Sequence, residues 1–306
     1  MTEYKLTDES IKVDGKTLYR IKLTKNHMVH GREGTRGGFI ESQKNLIGNA
    51  FVYDSAKVYG KALVTDNARV SGKAKVFDNA KVSGKAMVFG NAEVLENAKV
   101  SGNAKISGNA KVYGNANVTE TSFATNNAKV FGKTKVSGNA IIYENAKISE
   151  NAKISGSAKI SGSANVSGKA IVFGYAFITG DVFVYGNANV YENAQVSGKA
   201  KVSGTAEVSG TAEVSESAEV YESAWVYDHA VVTDNARVFG YAKVSQKSQI
   251  SEKAQISGEA MVYDEARVSG NARVSGNARV FGKARVSGKA NVSGNTEVSG
   301  NDKVSL

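Results

Sequence analysis

From Val52 to Val304 every sixth residue is Val or Ile, at 42 of 43 positions, with Ala124 the exception and no insertion to disturb the phase. Ile40 and Leu46 carry the same phase backwards. Two residues before each branched position stands a second constant one, Ala in 37 of 43 cases and otherwise Ser122, Thr134, Val182, Ser248, Thr296 or Asp302. A unit such as Ala110-Lys111-Val112-Tyr113-Gly114-Asn115 therefore alternates: Ala and Val point to one side of a short strand, Lys and Tyr to the other. The two residues that follow are Gly, Asp or Glu, then Asn, Lys or Ser. Gly and Asn tolerate the positive φ of a tight corner. A strand this short buries nothing alone, so the period predicts stacking. The fold class it predicts is all-β, a coiled parallel β-solenoid in which three hexads close a triangular coil of 18 residues, with about 14 coils over 40–306.

Residues 1–39 stand outside the repeat. Ile11-Lys12-Val13 and Lys16 to Leu23 alternate around Asp14-Gly15, which predicts a β-hairpin. A small hairpin module is a natural cover for the first exposed strand edge of a solenoid. At the other end the small inward position becomes Thr296 and then Asp302. An inward carboxylate there makes addition of a further coil costly. Within the repeat, Ala124 leaves room beside the outward Phe123, and the expected refill is Phe123 turning inward or a slight bend.

The later-Gly form of the hexad, together with Gly34-Thr35-Arg36-Gly37-Gly38-Phe39-Ile40-Glu41, resembles the YdcK-like proteins of bacterial and prophage genomes. More broadly the period is similar to that of hexapeptide-repeat proteins. That resemblance implies a left-handed β-helix, an association with phage or prophage, and, by fold analogy, a transferase. The Gly or acidic residue falls one position later than in the commonest hexapeptide motif.

Composition narrows the chemistry. The chain has 32 Gly, no Pro and no Cys, and a formal net charge of +10. Without Cys there is no disulfide, thiolate metal site or cysteine nucleophile. The first residues carry no apolar leader segment, and no stretch approaches the ~20 apolar residues of a spanning helix; a cytoplasmic location away from membranes is expected. Acyltransferases of the hexapeptide class, by resemblance, use a His base and a loop extruded from one corner. Here no loop interrupts the hexads, and His229 beside Asp228 falls at a corner, where a solvated His is expected. His27 and His30 lack the remaining ligands of a zinc site. The glycines at 31, 34, 37 and 38 are expected to form a flexible joint into the first coil rather than a phosphate loop. Glu207, Glu213, Glu216, Glu219 and Glu222 make an acidic band rather than a cleft. No catalytic residue, no metal ligand set and no cofactor is expected.

Stacking at 18 residues per coil lines up the outward residues. One ladder pairs Lys57 with Tyr59, Lys75 with Phe77, Glu93 with Leu95, Lys111 with Tyr113 and Lys129 with Phe131. The next face begins Lys-Ser-rich, with Lys81, Lys99, Lys135 and Lys153. It then turns apolar, with Ile171, Phe173, Tyr191, Trp225, Tyr227, Met261, Tyr263 and Phe281. Phe123, Ile141 and Phe177 belong to the third face. Outward aromatics of this kind stabilise adjacent strands or form a binding surface. The expected function is a non-enzymatic interaction scaffold that binds a protein partner, from a host or a second copy of itself. Binding of nucleic acid or an anionic glycan is the alternative, favoured by the Lys–aromatic ladder.

Overall fold

The computed structural model describes residues 3–306; Met1 and Thr2, the start of the expected N-terminal module, lie outside the described residues. The chain is an all-β parallel solenoid of about 15 turns, with strands recurring every 18 residues. It divides into two compact units, Met1–Asn151 and Ala152–Leu306.

Each hexad yields a two-residue strand, such as Lys57–Val58, Lys75–Val76 or Glu93–Val94. In the first unit these pair in parallel register, Val58 on Val76 and Val76 on Val94. The backbone bonds run from one turn to the next: Lys57 N–H donates to Ala74 O at 2.9 Å and Tyr59 N–H to Val76 O at 3.1 Å. The second unit is built alike, with Val166 on Val184 and Val184 on Val202. Three such strands complete each turn, so the Val, Ile and Ala side chains of three sheets meet inside and are fully buried in both units. Burial of a branched residue and an alanine in every hexad is the main favourable term holding a fold with so few residues per strand.

The corners depart from expectation in one respect. Positive φ belongs to the first corner residue alone, such as Gly60 at 71° or Asp66 at 63°, and not to the Asn that follows. Acidic residues accept this left-handed backbone because they gain a partner: Asp66 Oδ2 accepts the N–H of Gly84 at 2.9 Å, and Glu96 Oε2 that of Gly114 at 2.8 Å. The carboxylate thus satisfies a corner donor on the next turn. The Asn of the second corner position instead bonds its own kind, in a ladder from Asn91 through Asn109 and Asn127 to Asn145.

In the N-terminal module, β1 (Tyr4–Val13) and β2 (Lys16–Leu23) form the expected antiparallel hairpin. Asp14 and Gly15 both take positive φ, 48° and 75°, as a type I′ turn requires. β3 (Arg36–Ile40) lies antiparallel to β2 and parallel to Lys57–Val58, with Phe39 opposite Lys57. The expected flexible joint is therefore partly a packed strand. A Cβ on Gly37 would stand 2.5 Å from Ile21 Cγ1 and Val52 O, and one on Gly38 2.5 Å from Ala56 O. These two glycines permit close approach rather than motion. Glu41 fastens the module to the repeat, its Oε2 accepting the Gly60 N–H at 2.6 Å and the Lys16 ammonium at 3.0 Å.

One further expectation is corrected. Phe123 stays outward and half-buried, with Lys105 Nζ 5.1 Å from its ring centre. Ala124 is flanked in register by Ile106 and Ile142, both fully buried. Each Ile brings one carbon more than the usual Val, and together they match the two carbons that Ala124 lacks. At the last turn Asp302 is exposed, and its Oδ2 accepts the Ser299 N–H at 3.3 Å.

Candidate binding faces

The two units present different outer surfaces. The first carries 23 Lys and Arg against 14 Asp and Glu, a net charge of +9; the second carries 16 against 15, a net charge of +1. Both wind the same inner frame, so the difference lies in the outward and corner positions.

In the first unit the Lys57/Tyr59 ladder is largely occupied by its own neighbours. Tyr59 is 3% exposed, packed with Leu18 of β2 and Phe39 of β3 beneath the hairpin. Its hydroxyl donates to Asp14 Oδ2 at 2.7 Å, and burial together with that carboxylate pushes the phenol pKa up. Phe77 stacks on Tyr59 with ring centres 5.0 Å apart, and Tyr113 on Phe131 at 4.8 Å. Lys75 and Lys111 both reach Glu93, at 3.4 and 2.7 Å. Partial burial pushes the Glu93 carboxyl up, but the hydrogen bonds and charges of the two lysines outweigh it and hold the group below the usual glutamate range. Lys57 is half-buried beside Phe39, and Lys129 is exposed. On the next face of this unit, Lys81, Lys99 and Lys135 share their ladder with Leu63 and Asn117 and with no carboxylate.

In the second unit the predicted apolar stripe resolves into pairs and single rings. Phe173 stacks on Tyr191 at 4.9 Å, and Tyr263 on Phe281 at 5.1 Å. Ile171, Phe177 and Tyr227 are half-buried, the last between Ser209 and Ser245 on its ladder. Trp225 is 43% exposed, with Glu207 and Lys243 as its neighbours in register. Lys243 Nζ lies 5.0 Å from its ring centre.

Four more aromatics of this unit are exposed: Tyr175 at 71%, Phe183 and Tyr185, inside the stretch 171–185 that the sequence marks as apolar, and Tyr241 at 67%, which the sequence reading did not single out. The signal for them is simple. An aromatic with another 18 residues away stacks on it, as Phe173 does on Tyr191, whereas Phe183 has only Asn165 and Lys201 beside it. Tyr175 and Tyr241 occupy second-corner positions, which Asn, Lys and Ser usually fill. Ile171, Phe173, Tyr175, Phe177, Phe183 and Tyr185 fall within a single turn and touch all three of its faces. They form a girdle, not a flat face.

The titratable groups are engaged locally. His30 is buried, its Nδ1 on Tyr53 Oη and its Nε2 2.8 Å from Asn49 O, with His27 stacked at 4.2 Å. Burial pushes its pKa down. His229 Nδ1 meets Thr211 Oγ1. The five glutamates of the acidic band separate: Glu207 accepts from Tyr191 Oη at 3.0 Å, Glu219 bridges Lys201 and Arg237, Glu222 accepts the Gly240 N–H, Glu216 holds a corner and Glu213 faces solvent. Among the described residues no group of three or more His, Asp or Glu stands together to hold a metal ion. No helix among them is long and apolar enough to cross a membrane.

Residues 254–270, 266–282 and 272–288 match the YdcK beta solenoid repeat family. Those segments lie in the second unit, and within them the inward Ala and the inward Val or Ile recur in every hexad and the first corner residue is Gly except at Asp264. That match and the parallel solenoid of about 15 turns fit a YdcK-like β-helix family. No curated protein matches it. The YdcK-like repeat accounts for the frame and leaves the outer ladders to be explained from their own chemistry.

Proposed function

We propose that this YdcK-like solenoid is a non-enzymatic interaction scaffold that holds a protein partner, from a host or a second copy of the chain, on the aromatic girdle of its second unit. The observation that carries this reading is the exposure of Phe173, Tyr175, Phe183 and Tyr185 within one turn. Grouped exposed aromatics with few charges among them are the composition of an interface core, and aromatic anchors supply most of the affinity of such contacts. Because the girdle reaches three faces, the partner it fits is one that grips the turn from more than one side. The test is sedimentation and partner capture with Phe183→Ser/Tyr185→Ser. Loss of the partner, or of self-association, is expected; unchanged mass with unchanged capture would remove the proposal.

The charge of the first unit supports a second reading, an anionic polymer laid along Lys81, Lys99 and Lys135. Such binding falls steeply as salt rises. A transferase reading rests on fold analogy alone, and His229, bonded to Thr211 at an exposed corner, gives it no support.

A further inference from the structure

One depression of the second unit has a chemistry unlike the girdle. It is a trough of about 530 Å³ running over four successive turns, within the size range of small-molecule sites. Glu207, Trp225 and Lys243 form one side, on neighbouring strands in register. Ser223, Tyr241 and Glu259 form the other, along the adjoining corner. Main-chain bonds hold both sides, including Trp225 N–H to Ala242 O at 2.9 Å and Tyr241 N–H to Gly258 O at 2.7 Å. The two rings are therefore presented without a loop that has to close, and little ordering cost falls on binding.

The lining excludes two classes of ligand. Two carboxylates against one ammonium repel a phosphate or sulfate polymer. An alkyl chain or apolar peptide face would cover the Lys243 ammonium and the Glu259 and Glu207 carboxylates, the last bonded only through one oxygen to Tyr191, and leave their remaining hydrogen-bonding capacity unmet, which is costly. A ligand that suits both halves of the trough carries apolar C–H faces for the indole and phenol and neutral hydroxyls at its rim. Those hydroxyls donate to Glu207 and Glu259 and accept from Lys243 and Ser223. We propose that the trough is a binding site for a neutral oligosaccharide. It goes beyond the protein-docking role and uses other residues, so either can fail without the other.

Trp225 is the only tryptophan in the chain, so its emission reports on this site directly. The full-length protein is titrated with cellohexaose, maltohexaose and chitohexaose at low and high salt. The expected result is a saturable change in emission with at least one of them, with the same midpoint at both salts. Tyr241→Ala and Glu259→Gln, both at exposed corner positions, are each expected to weaken it roughly tenfold, with the far-ultraviolet circular dichroism unchanged. No saturable change with any oligosaccharide would overturn the assignment. So would a response confined to oligothymidylate or dextran sulfate that disappears at high salt, or wild-type binding by both variants. Partner capture through Phe183 and Tyr185 is read separately and is expected to survive both substitutions.

Discussion

Tyr59 in the first unit and Trp225 in the second occupy outward positions of the same repeat, yet one is 3% and the other 43% exposed. The frame around them is the same: an inward Ala, an inward Val and a corner that turns on a left-handed residue. What differs is the company each ring keeps. Tyr59 is roofed by Leu18 and Phe39 and stacked on Phe77. Trp225 has Glu207 and Lys243 beside it and no roof. The repeat decides the coil and is indifferent to use; use is written in the outward and corner residues. In the first unit those residues are basic, and the aromatics pack. In the second, charge nearly cancels and several rings are left to solvent.

The sharpest way to break this comparison is to remove both rings. Tyr59→Ala empties the cluster under the hairpin and is expected to cost about 3–5 kcal/mol. Trp225→Ala leaves little void and is expected to stay within about 0.5 kcal/mol of wild type. Urea unfolding followed by circular dichroism measures both, and equal losses would mean that the two rings are equivalent parts of the frame.

A smaller effect is expected inside the core. Ala124→Val restores the repeat by sequence but adds two carbons between Ile106 and Ile142, whose two extra carbons offset the two that Ala124 lacks, and is expected to cost about 1–3 kcal/mol. Adding Ile106→Val and Ile142→Val should recover most of that loss. If Ala124→Val alone stabilises the protein, the space is empty and the compensation argued from the two isoleucines is wrong.

The smallest expected effect is shared by the two units. Glu93 sits between Lys75 and Lys111, and Glu219 between Lys201 and Arg237. In each, partial burial raises the carboxyl pKa but the two cations prevail and hold it below the ordinary 4.5. A depressed acid stabilises the folded chain fully above its unfolded value and loses that contribution as the pH falls through its folded value. Glu93→Gln and Glu219→Gln are therefore each expected to cost about 0.2–1 kcal/mol at neutral pH and nothing in strong acid. Thermal melts across that range check it; a penalty that persists in acid would point to packing rather than charge.

The coil, the hairpin and its turn were legible because they depend on periodicity and on residues that admit only a few backbone conformations, as at Asp14-Gly15. The Ala124 irregularity was visible, but its remedy was not, since it rests on the isoleucines one turn away on either side. The acidic corners were read as mere turn residues, because their partner is a backbone N–H 18 residues on, as between Asp66 and Gly84. Candidate site residues were half legible. The ladder residues fell where the 18-residue stacking put them, while the roof over Tyr59 comes from a segment outside the repeat. The exposure of Tyr241 was not legible, because a second-corner residue has no place in the ladders that the 18-residue stacking of strand positions predicts.

The most direct measurement is affinity capture with the tagged wild-type chain, with Phe183→Ser/Tyr185→Ser and with Lys81→Ser/Lys99→Ser/Lys135→Ser, from a nuclease-treated bacterial lysate at two salt concentrations. The expected result is a discrete protein that the wild type and the lysine variant hold through nuclease and high salt, and that the aromatic variant does not hold. If the lysine variant loses everything, or high salt strips everything from the wild type, the basic face of the first unit is the working surface and the protein-scaffold account is contradicted.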